Sequence, residues 1–327
     1  MSWALDRRTL LAGSISATFA SGRASAQSAP WPSQPIRLVV PFAPGGTTDL
    51  VARLVAAGLQ ERLGVSVIVE NRAGAGATVG SEMVARAAPD GYTLVMSNIA
   101  SHGISPSVYR GRIRYDAVTD FAHIAMVVSN PTVWVANPRS GIRTLQDAAA
   151  KARSPGGLDV ATSGAGSSNH MMVVRMGQIL GVELNHIPFR GAGPAMQAVI
   201  AGQVPMMSDS LPSSVSHIRQ GSVIAVAMAS ERRHPAFPDV PTFREQGFDL
   251  ASDSWFGLSA PAGTPAAIVE RLNRETRAFL GTSEIRNRFA ELGGTPGDMT
   301  SEGYTEFVRR EVAQWAPLVQ ASGATAD

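Results

Sequence analysis

The chain has 327 residues, of which 44% are hydrophobic and 17% are charged, a composition typical of a soluble globular protein of two domains. Its formal net charge is only +2, and it has no basic run interleaved with aromatic residues, which argues against nucleic-acid binding. It contains no cysteine, which excludes disulfides, thiolate metal sites and a cysteine nucleophile.

The first 26 residues have the pattern of an export signal. Arg7-Arg8 precede an apolar stretch from Leu10 to Phe19, and Ala24-Ser25-Ala26 has the A-x-A form of a cleavage site. The paired arginines indicate a twin-arginine address. We therefore predict a periplasmic protein whose signal peptide, residues 1–26, is cleaved near Ala26. The remaining chain would carry 25 basic and 25 acidic residues, and none of its segments has the apolar length of a membrane span.

Residues 36–53 predict a strand, a glycine turn and a helix in succession. Apolar residues 36–40 suit a buried strand, and Pro41 would end it because proline cannot donate to the ladder. Gly45-Gly46 and then Thr47-Thr48-Asp49 open a helical pattern. Free N–H groups and the helix dipole make such a helix N-terminus a site for anions. An ordinary turn capped by a threonine explains the same residues, so this stretch alone leaves both interpretations open.

The rest of the chain alternates strand-like and helix-like segments, which predicts an α/β fold with a parallel sheet and covering helices. In such sheets ligands bind beyond the carboxyl ends of the strands, where we expect residues 71–80 and Ser97-Asn98. The further predicted strands are 65–69, 92–96, 132–136, 159–162, 182–185, 223–228 and 254–260. The predicted helices are 81–87, 145–153, 171–180, 194–201, a segment beginning at 268, 283–292 and 303–322.

A second glycine-rich loop, residues 163–170, repeats the design of the first. It follows the predicted strand 159–162 and precedes a methionine-rich helix that begins at Met171. Two loops about 120 residues apart predict two similar lobes, each directing a helix N-terminus into one cleft. The two loops do not align as a sequence repeat, so the similarity is architectural.

Motifs for catalysis are missing from the sequence. There is no G-x-S-x-G elbow, no Ser-x-x-Lys around the single lysine, Lys151, and no phosphate-binding G-x-x-x-x-G-K-[ST] loop. The six histidines form no H-E-x-x-H or H-x-H pair. We therefore predict a binding protein that is not an enzyme and has no metal or cofactor.

Four polar side chains have competing interpretations. His170 either orients a ligand or caps its own loop, and Arg190 either pairs with a carboxylate or is solvated. Asp49 and Asp209 would repel a carboxylate but could bind an ammonium or hydroxyl group of a ligand. Asp49 also suits the positive end of its own helix, a role that needs no ligand.

Several motifs occur in order along the whole mature chain: Pro-Phe-Ala-Pro-Gly-Gly-Thr-Thr-Asp at 41–49, Glu-Asn-Arg at 70–72, Asp-Gly-Tyr-Thr-Leu at 90–94, His-Ile-Pro-Phe-Arg-Gly at 186–191 and Ala-Pro-Ala-Gly-Thr-Pro at 260–265. Together they resemble the solute-binding receptors of tripartite tricarboxylate transporters, the Bug family. The chain departs from that pattern at Phe189-Arg190, where many relatives have Tyr-Lys, and at Ser105-Pro106, where Asn-Pro is usual.

The resemblance implies a two-lobed periplasmic binding protein fold, type II-like, with two sheet-and-helix lobes joined by two crossover segments. Lobe 1 would be residues 33–131 plus 253–327, and lobe 2 residues 132–252. It implies a monomeric receptor that closes on a small carboxylated solute and delivers it to the permease subunits of a tripartite tricarboxylate transporter. The alternative is a ligand-sensing partner of a membrane sensor kinase that uses the same cleft.

The resemblance also implies that backbone N–H groups and hydroxyls of the two glycine loops hold the ligand carboxylate. Added to these are the polar candidates at strand ends and the four side chains discussed above. The predicted ligand-binding residues are Gly45, Gly46, Thr47, Thr48, Asp49, Ser97, Asn98, Ser163, Gly164, Ser167, Ser168, Asn169, His170, Arg190 and Asp209.

Overall fold

A long strand, β4 (Phe121–Ala136), runs through the middle of the molecule. The computed structural model describes residues 31–323, so the predicted signal peptide at 1–26 lies outside the described residues. The other strands are β1 Ile36–Val40, β2 Val67–Asn71, β3 Thr93–Asn98, β5 Asp159–Thr162, β6 Asn185–Pro188, β7 Met206–Ser210, β8 Ile224–Met228, β9 Asp253–Pro261 and β10 Thr295–Pro296. The α-helices are α1 Thr47–Leu63, α2 Thr78–Ala85, α3 Ser105–Val108, α4 Leu145–Ala152, α5 Ser168–Leu180, α6 Ala192–Ala201, α7 Leu211–Arg219, α8 Ala266–Leu280, α9 Ser283–Glu291 and α10 Ser301–Ser322.

Strand β4 changes partners half-way along its length. Its first part pairs antiparallel with β9, as far as Pro131 opposite Asp253, and with β10. Its second part, from Thr132 opposite Ser210, pairs antiparallel with β7 and β8. The order is β2-β1-β3-β9-β4-β7-β5-β6, and only the pairs β1–β2, β1–β3, β5–β6 and β5–β7 are parallel. The sheet is therefore mixed, and the expectation of a parallel sheet is wrong for β4 and β9.

Separate apolar clusters lie on the two sides of this change of partners. One packs α1 and α8 against β1, β3 and β9, around residues such as Leu38, Leu94 and Leu258. Another packs α4 and α5 around Trp134 and Met172. Burying a large apolar side chain stabilises the folded state by about 1.5–3 kcal/mol. With its own cluster of such side chains, each side has a hydrophobic core of its own. The chain therefore has the predicted two-lobed α/β fold, and we call the side with β1–β3 the first lobe and the side with β5–β8 the second.

The limits predicted for the lobes, 131/132 and 252/253, fall where β4 exchanges β9 for β7, but they stay a prediction. Three segments of the chain are hydrogen-bonded to one another at this point. The N–H of Thr132 donates to the carbonyl of Ser252 (3.1 Å), and the N–H of Ser252 donates to the carbonyl of Ala229 (2.8 Å). None of the helices within residues 31–323 is both long and apolar enough to cross a membrane.

Several boundaries differ from those expected, among them the start of α5 and the position of β6. Helix α5 begins at Ser168, ahead of the predicted start at 171. Strand β6 occupies 185–188 and not the predicted 182–185, because Gly181 ends α5 in a left-handed conformation and the N–H of Val182 donates back to Gly177 (3.1 Å). Residues 182–184 thus belong to the helix-capping turn. The first part of β4 and the whole of α7 were not predicted.

Candidate functional site

The N-termini of α1 and α5 lie on opposite walls of one cavity between the lobes. The empty volume of this cavity is about 390 Å³. The lining residues are Phe42, Gly46, Thr47, Thr48, Asn98, Ile99, Ala100, Ser163, Ser167, Ser168, Asn169, Ala192, Asp209, Ser210 and Phe256.

The first wall is the loop between β1 and α1. Gly45 has φ +88°, a left-handed conformation that favours glycine, and Gly46 is the N-cap of α1. No side chain caps this helix. As a result, the N–H groups of Gly46, Thr47 and Thr48 have no hydrogen-bond partner within residues 31–323. Three backbone donors at the positive end of a helix dipole are therefore available to an anion.

Asp49 braces this wall from behind and does not line the cavity. Its carboxylate accepts hydrogen bonds from the N–H of Gly45 (3.1 Å), from Asn71 Nδ2 (3.0 Å) and from Arg53 Nε and Nη2 (3.0 and 2.9 Å). Burial alone would raise the pKa of Asp49, but these donors outweigh it, so the pKa lies below its usual value. Asp49 therefore holds the loop in shape, and its carboxylate faces away from the ligand space.

The second wall is the loop between β5 and α5. Gly164 has φ +126°, and the hydroxyl of Ser167, the N-cap of α5, donates to the Gly164 carbonyl (2.7 Å). The hydroxyl oxygen of Ser167 also accepts the N–H of His170 (3.1 Å). The N–H groups of Ser168 and Asn169 have no partner within the described range. This wall therefore adds two backbone donors to the three of the first wall.

His170 supports the second loop from outside the cavity. Its Nδ1 accepts the N–H of Gly166 (3.2 Å), which requires a neutral ring, and the ring stacks on His186 at 3.9 Å between centroids. Burial lowers the pKa of His170 to about 4 and that of His186, with a further contribution from His170, to about 3. Of the two roles considered for His170, these contacts correspond to capping of its own loop and not to orienting a ligand.

Direct contacts join the two lobes around the cavity, so the cleft is closed. Thr47 Oγ1 lies 2.9 Å from Ser213 Oγ, the N–H of Ala43 donates to the carbonyl of Arg190 (3.0 Å), and the hydroxyl of Tyr109 donates to the carbonyl of Ala165 (3.2 Å). A Cβ added to Gly193 would lie 2.2 Å from the Pro44 carbonyl oxygen. This closure thus depends on glycine at position 193 of α6.

Asp209 is the single charged side chain among the residues that line the cavity. Its Oδ2 accepts from the hydroxyls of Ser213 and Ser214, both at 2.7 Å, whereas its Oδ1 is buried without a hydrogen-bond partner within residues 31–323. Burial raises the pKa of Asp209 to about 6, although the serine donors oppose the shift. A carboxylate with one oxygen fixed and the other free faces the ligand space.

Nine of the fifteen predicted residues line this cavity: Gly46, Thr47, Thr48, Asn98, Ser163, Ser167, Ser168, Asn169 and Asp209. Gly45, Asp49 and His170 support it, as described above. Ser97 points into the first lobe, where its hydroxyl bonds to Ser259 (2.8 Å) and Tyr304 (2.9 Å). Gly164 and Arg190 line an adjoining outer chamber, where the Arg190 side chain is exposed. Their roles in binding stay predictions.

Residues that the sequence did not single out also line the cavity. Phe42, Ile99, Ala100 and Ala192 supply part of its apolar surface, and Ser210 adds a hydroxyl. Phe42 follows β1 and Ala192 follows Gly191, so position after a strand or glycine turn was the available signal. A search for polar groups alone passes over such residues.

The cavity presents backbone hydrogen-bond donors and one carboxylate, that of Asp209. No lysine, arginine or histidine lines it, and the described part of the chain holds no group of three metal-ligating side chains. Five backbone donors at two helix N-termini supply the positive potential instead. A carboxylate placed between them would accept charge-assisted hydrogen bonds, which are stronger than neutral ones.

Comparison with known proteins identifies relatives over almost the whole chain. BugT of Bordetella pertussis is 35% identical over 296 residues, which span 90% of this chain and 91% of BugT. MatC of Rhodopseudomonas palustris, solved with bound malate, is 35% identical with a TM-score of 0.84 over 88% of this chain and all of MatC. R. palustris Rpa4515, solved with adipate, is 32% identical with a TM-score of 0.86 over 90% of this chain and 99% of that chain.

The sequence model of the tripartite tricarboxylate transporter family receptor matches residues 51–324. It overlaps the second lobe and most of the first, and it agrees with the resemblance seen in the motifs. Members of this family are solute receptors and not enzymes. By sequence, by fold and by the relatives it matches, this chain belongs to the tripartite tricarboxylate transporter receptor family.

Proposed function

We propose that this protein is a periplasmic receptor that captures a small carboxylated solute between its lobes and delivers it to a tripartite tricarboxylate-type permease. The observation that carries the proposal is a set of backbone N–H groups, from Gly46 to Thr48 and at Ser168 and Asn169, that have no partner in the described part of the chain and surround one cavity without a basic side chain. Two relatives were solved with malate and with adipate. Both of these ligands carry carboxylates, but only malate carries a hydroxyl group. The comparison therefore supports a carboxylate and nothing narrower.

Binding proceeds by closure of the lobes about the β4 crossing. In the open form each helix N-terminus is hydrated, and neither wall alone surrounds a carboxylate. The ligand bridges the walls, and closure adds the contacts of Thr47 with Ser213 and of Ala43 with Arg190. Because these contacts exist only in the closed form, a ligand that favours this form shifts the population towards it. A receptor of this kind signals occupancy by its shape.

Export and delivery complete the proposal. The leader at residues 1–26, cleaved near Ala26, would place the receptor in the periplasm as a monomer. The closed form would then dock on the permease subunits, and opening there would release the solute.

Sensing is the alternative outcome of the same closure. If the closed form instead bound a membrane sensor kinase, deleting the gene would abolish induction of a regulon and leave uptake of the solute intact. Loss of uptake with intact induction supports delivery to a permease and contradicts sensing.

A thermal-shift screen tests the carboxylate directly. Mono-, di- and tricarboxylates are compared with the corresponding primary amides, which keep the shape and lose the charge. A ligand at 100 times its dissociation constant stabilises the folded form by about 2.7 kcal/mol, so an acid that binds raises the melting temperature by several degrees. Stabilisation by an amide but by none of the acids contradicts the proposal.

Gly46→Val tests whether the first wall carries the binding. Gly46 has φ −87°, which valine tolerates, but an added Cβ would lie 3.2 Å from Ala192 Cβ across the cleft. We expect the variant to fold with an almost unchanged melting temperature and to lose at least ten-fold in affinity for the stabilising acid. Unchanged affinity would return the loop to an ordinary turn.

A further inference from the structure

The cavity contains a buried acceptor that a simple carboxylate ligand would leave unsatisfied. Asp209 is fully buried, lines the cavity, and its Oδ1 has no hydrogen-bond partner within the described part of the chain. A buried carboxylate oxygen without a donor costs free energy, more so than a neutral oxygen. A second carboxylate brought beside it would add repulsion between like charges.

The orientation of Asp209 is fixed by its other oxygen. Ser213 and Ser214, in the first turn of α7, both donate to Oδ2 at 2.7 Å. Because the one hydroxyl proton of Ser213 is used in this way, the 2.9 Å contact between Ser213 Oγ and Thr47 Oγ1 requires Thr47 as the donor. The Thr47 oxygen in turn accepts the N–H of Ser213 (3.2 Å). Asp209 is thus linked through Ser213 to the first glycine loop across the closed cleft.

No lining residue donates a hydrogen bond to Oδ1 within residues 31–323, although the backbone N–H of Ser210 is near enough to the carboxyl to lower its pKa. The nearest hydroxyl along the chain, Ser210 Oγ, donates to Ser254 Oγ (3.4 Å), and the amide of Asn169 donates to Ser163 Oγ (3.1 Å). None of the other lining residues is titratable. The free backbone N–H groups of α1 and α5 are where the ligand carboxylate is proposed to bind. A donor carried by the solute would satisfy Oδ1.

We propose that the solute is a small carboxylate that also carries a hydrogen-bond donor, an ammonium or a hydroxyl group, and that Asp209 selects it by accepting that hydrogen bond. The inference rests on the proposed function, because it assumes that the helix N-termini hold the carboxylate. Asp209 then rejects acids without a donor, since their binding leaves its buried charge unpaired. The link through Ser213 joins recognition of the donor to closure at Thr47.

The experiment uses three acids with the same four-carbon dicarboxylate skeleton: succinate, which has no donor, malate, which has a hydroxyl, and aspartate, which has an ammonium group. Dissociation constants are measured by calorimetry at pH 7.5 for the wild type, Asp209→Asn and the surface control Asp239→Asn. The three-carbon series of propionate, lactate and alanine repeats the comparison with one carboxylate. Thermal unfolding of each variant reports whether it is folded.

In the wild type and in Asp239→Asn we expect the hydroxy or the amino acid of a series to bind at least ten-fold more tightly than the unsubstituted acid. Whichever of the two binds more tightly identifies the donor. In Asp209→Asn the preference should fall to within about two-fold, mainly because the substituted acid binds more weakly. Equal binding of all three acids to the wild type, or a preference kept by Asp209→Asn, overturns the inference and leaves the carboxylate receptor standing. If the amides bind and the acids do not, the proposed function itself fails.

A measurement on the wild type keeps the inference testable if Asp209→Asn does not fold. When the ionised carboxylate accepts from the solute, protonation of Asp209 competes with binding. Affinity for alanine or lactate should then fall as the pH is lowered from 7.5 to 5.5. Affinity that rises over this range, with uptake of a proton on binding, would mean that Asp209 is the donor and would overturn the assignment.

Discussion

The two glycine loops have the same arrangement at the cavity, but an acidic side chain supports one and a neutral imidazole supports the other. Each directs the N-terminus of a helix, α1 or α5, into the cavity and leaves backbone N–H groups without a partner within residues 31–323. Behind the first loop stands a carboxylate, Asp49, with a pKa below its usual value because Arg53, Asn71 and Gly45 donate to it. Behind the second stands a neutral imidazole, His170, with a pKa lowered by burial to about 4.

This difference follows from the surroundings of each loop. Asp49 can stay ionised because Arg53, whose side chain is half exposed, connects it to solvent. His170 is stacked on His186, and among the described residues no carboxylate shifts the pKa of either ring, so any added proton would be buried without a counter-charge. We infer that the backbone geometry alone makes an anion-binding loop. The side chain that supports the loop then determines the conditions under which this geometry is stable. The two loops should therefore respond differently to substitution and to acid.

Preventing the two lobes from approaching each other should have the largest effect on ligand affinity. In Gly193→Ala the added Cβ would lie 2.2 Å from the Pro44 carbonyl, so the closed form must shift, whereas the helical position favours alanine in the open form. We expect at least a 100-fold loss of affinity, about 2.7 kcal/mol, for the acid that stabilises the wild type. Calorimetry measures the affinity, and solution scattering should show an open shape even at saturating acid.

Gly303→Ala is the matched control for that substitution. It also adds a methyl group near the start of a helix, α10, but its Cβ would come no closer than 3.3 Å to the side chain of Thr300. Its affinity should stay within about two-fold of the wild type. Similar losses in both variants would show that helix glycines matter for the fold and not for closure.

Removing the brace of the first loop should have the next largest effect. Asp49→Ala leaves the N–H of Gly45 and the amide of Asn71 without their shared acceptor, and we expect a loss of about 3 kcal/mol in the free energy of unfolding. Asp49→Asn keeps an acceptor for Gly45 and should lose about 1 kcal/mol. Urea unfolding at pH 7 measures both. Equal losses in the two variants would mean that the charge, and not the set of hydrogen bonds, holds the loop.

Much of the fold could be predicted because its signals are local. The strands at 36–40 and 159–162 appear as predicted, since an apolar run ended by proline or glycine is a property of the segment itself. The first part of β4 was missed because Pro131 interrupts its apolar run, and proline usually marks the end or edge of a strand. Here Pro131 lies where β4 exchanges partners, so the lost donor falls at a break between two ladders.

Helix α7 was missed for a different reason. Pro212 and three nearby serines are typical of a loop, yet Pro212 lies in the first turn, where proline is tolerated. Ser213 and Ser214 are buried because their hydroxyls bond to Asp209. Nothing local to the segment indicates that tertiary contact.

The candidate site shows the same limit at the level of single side chains. Ser97 and Asn98 end the same strand, β3, and successive side chains of a strand point to opposite faces. Asn98 lines the cavity, whereas Ser97 bonds to Tyr304 in the first lobe. The strand end was predictable, but the choice of face depends on its pairing with β9, which lies about 160 residues further along the chain.

Acid should separate the two loops. The unfolded chain protonates a histidine near pH 6.5, whereas His170 in the folded protein resists protonation down to about pH 4. Between these values the unfolded state binds more protons, so stability falls as the pH falls, by about 2 kcal/mol between pH 7 and pH 5 for this residue. His170→Asn, which keeps an acceptor for Gly166, should lose correspondingly less stability over that range in urea unfolding. The first loop should remain intact at pH 5, because the pKa of Asp49 lies below 3.8.

Hydrogen exchange locates that effect. At pH 5 the amides of residues 163–170 should exchange faster than at pH 7 after correction for intrinsic rates, and those of residues 43–49 should not. Equal acceleration of both segments would contradict the separate bracing of the two loops.

The smallest effect concerns the cap of the second helix. Ser167→Ala removes the hydroxyl that accepts the N–H of His170 and donates to the Gly164 carbonyl, so the N–H of His170 joins the unpaired donors of α5. Losing an N-cap costs about 1 kcal/mol of stability. Because the new donor lies one residue beyond Asn169, we expect affinity for the acid to change by less than about three-fold while stability falls. A larger loss of affinity than of stability would show that the Ser167 hydroxyl contacts the solute itself, and would make the two loops unequal in binding as well as in bracing.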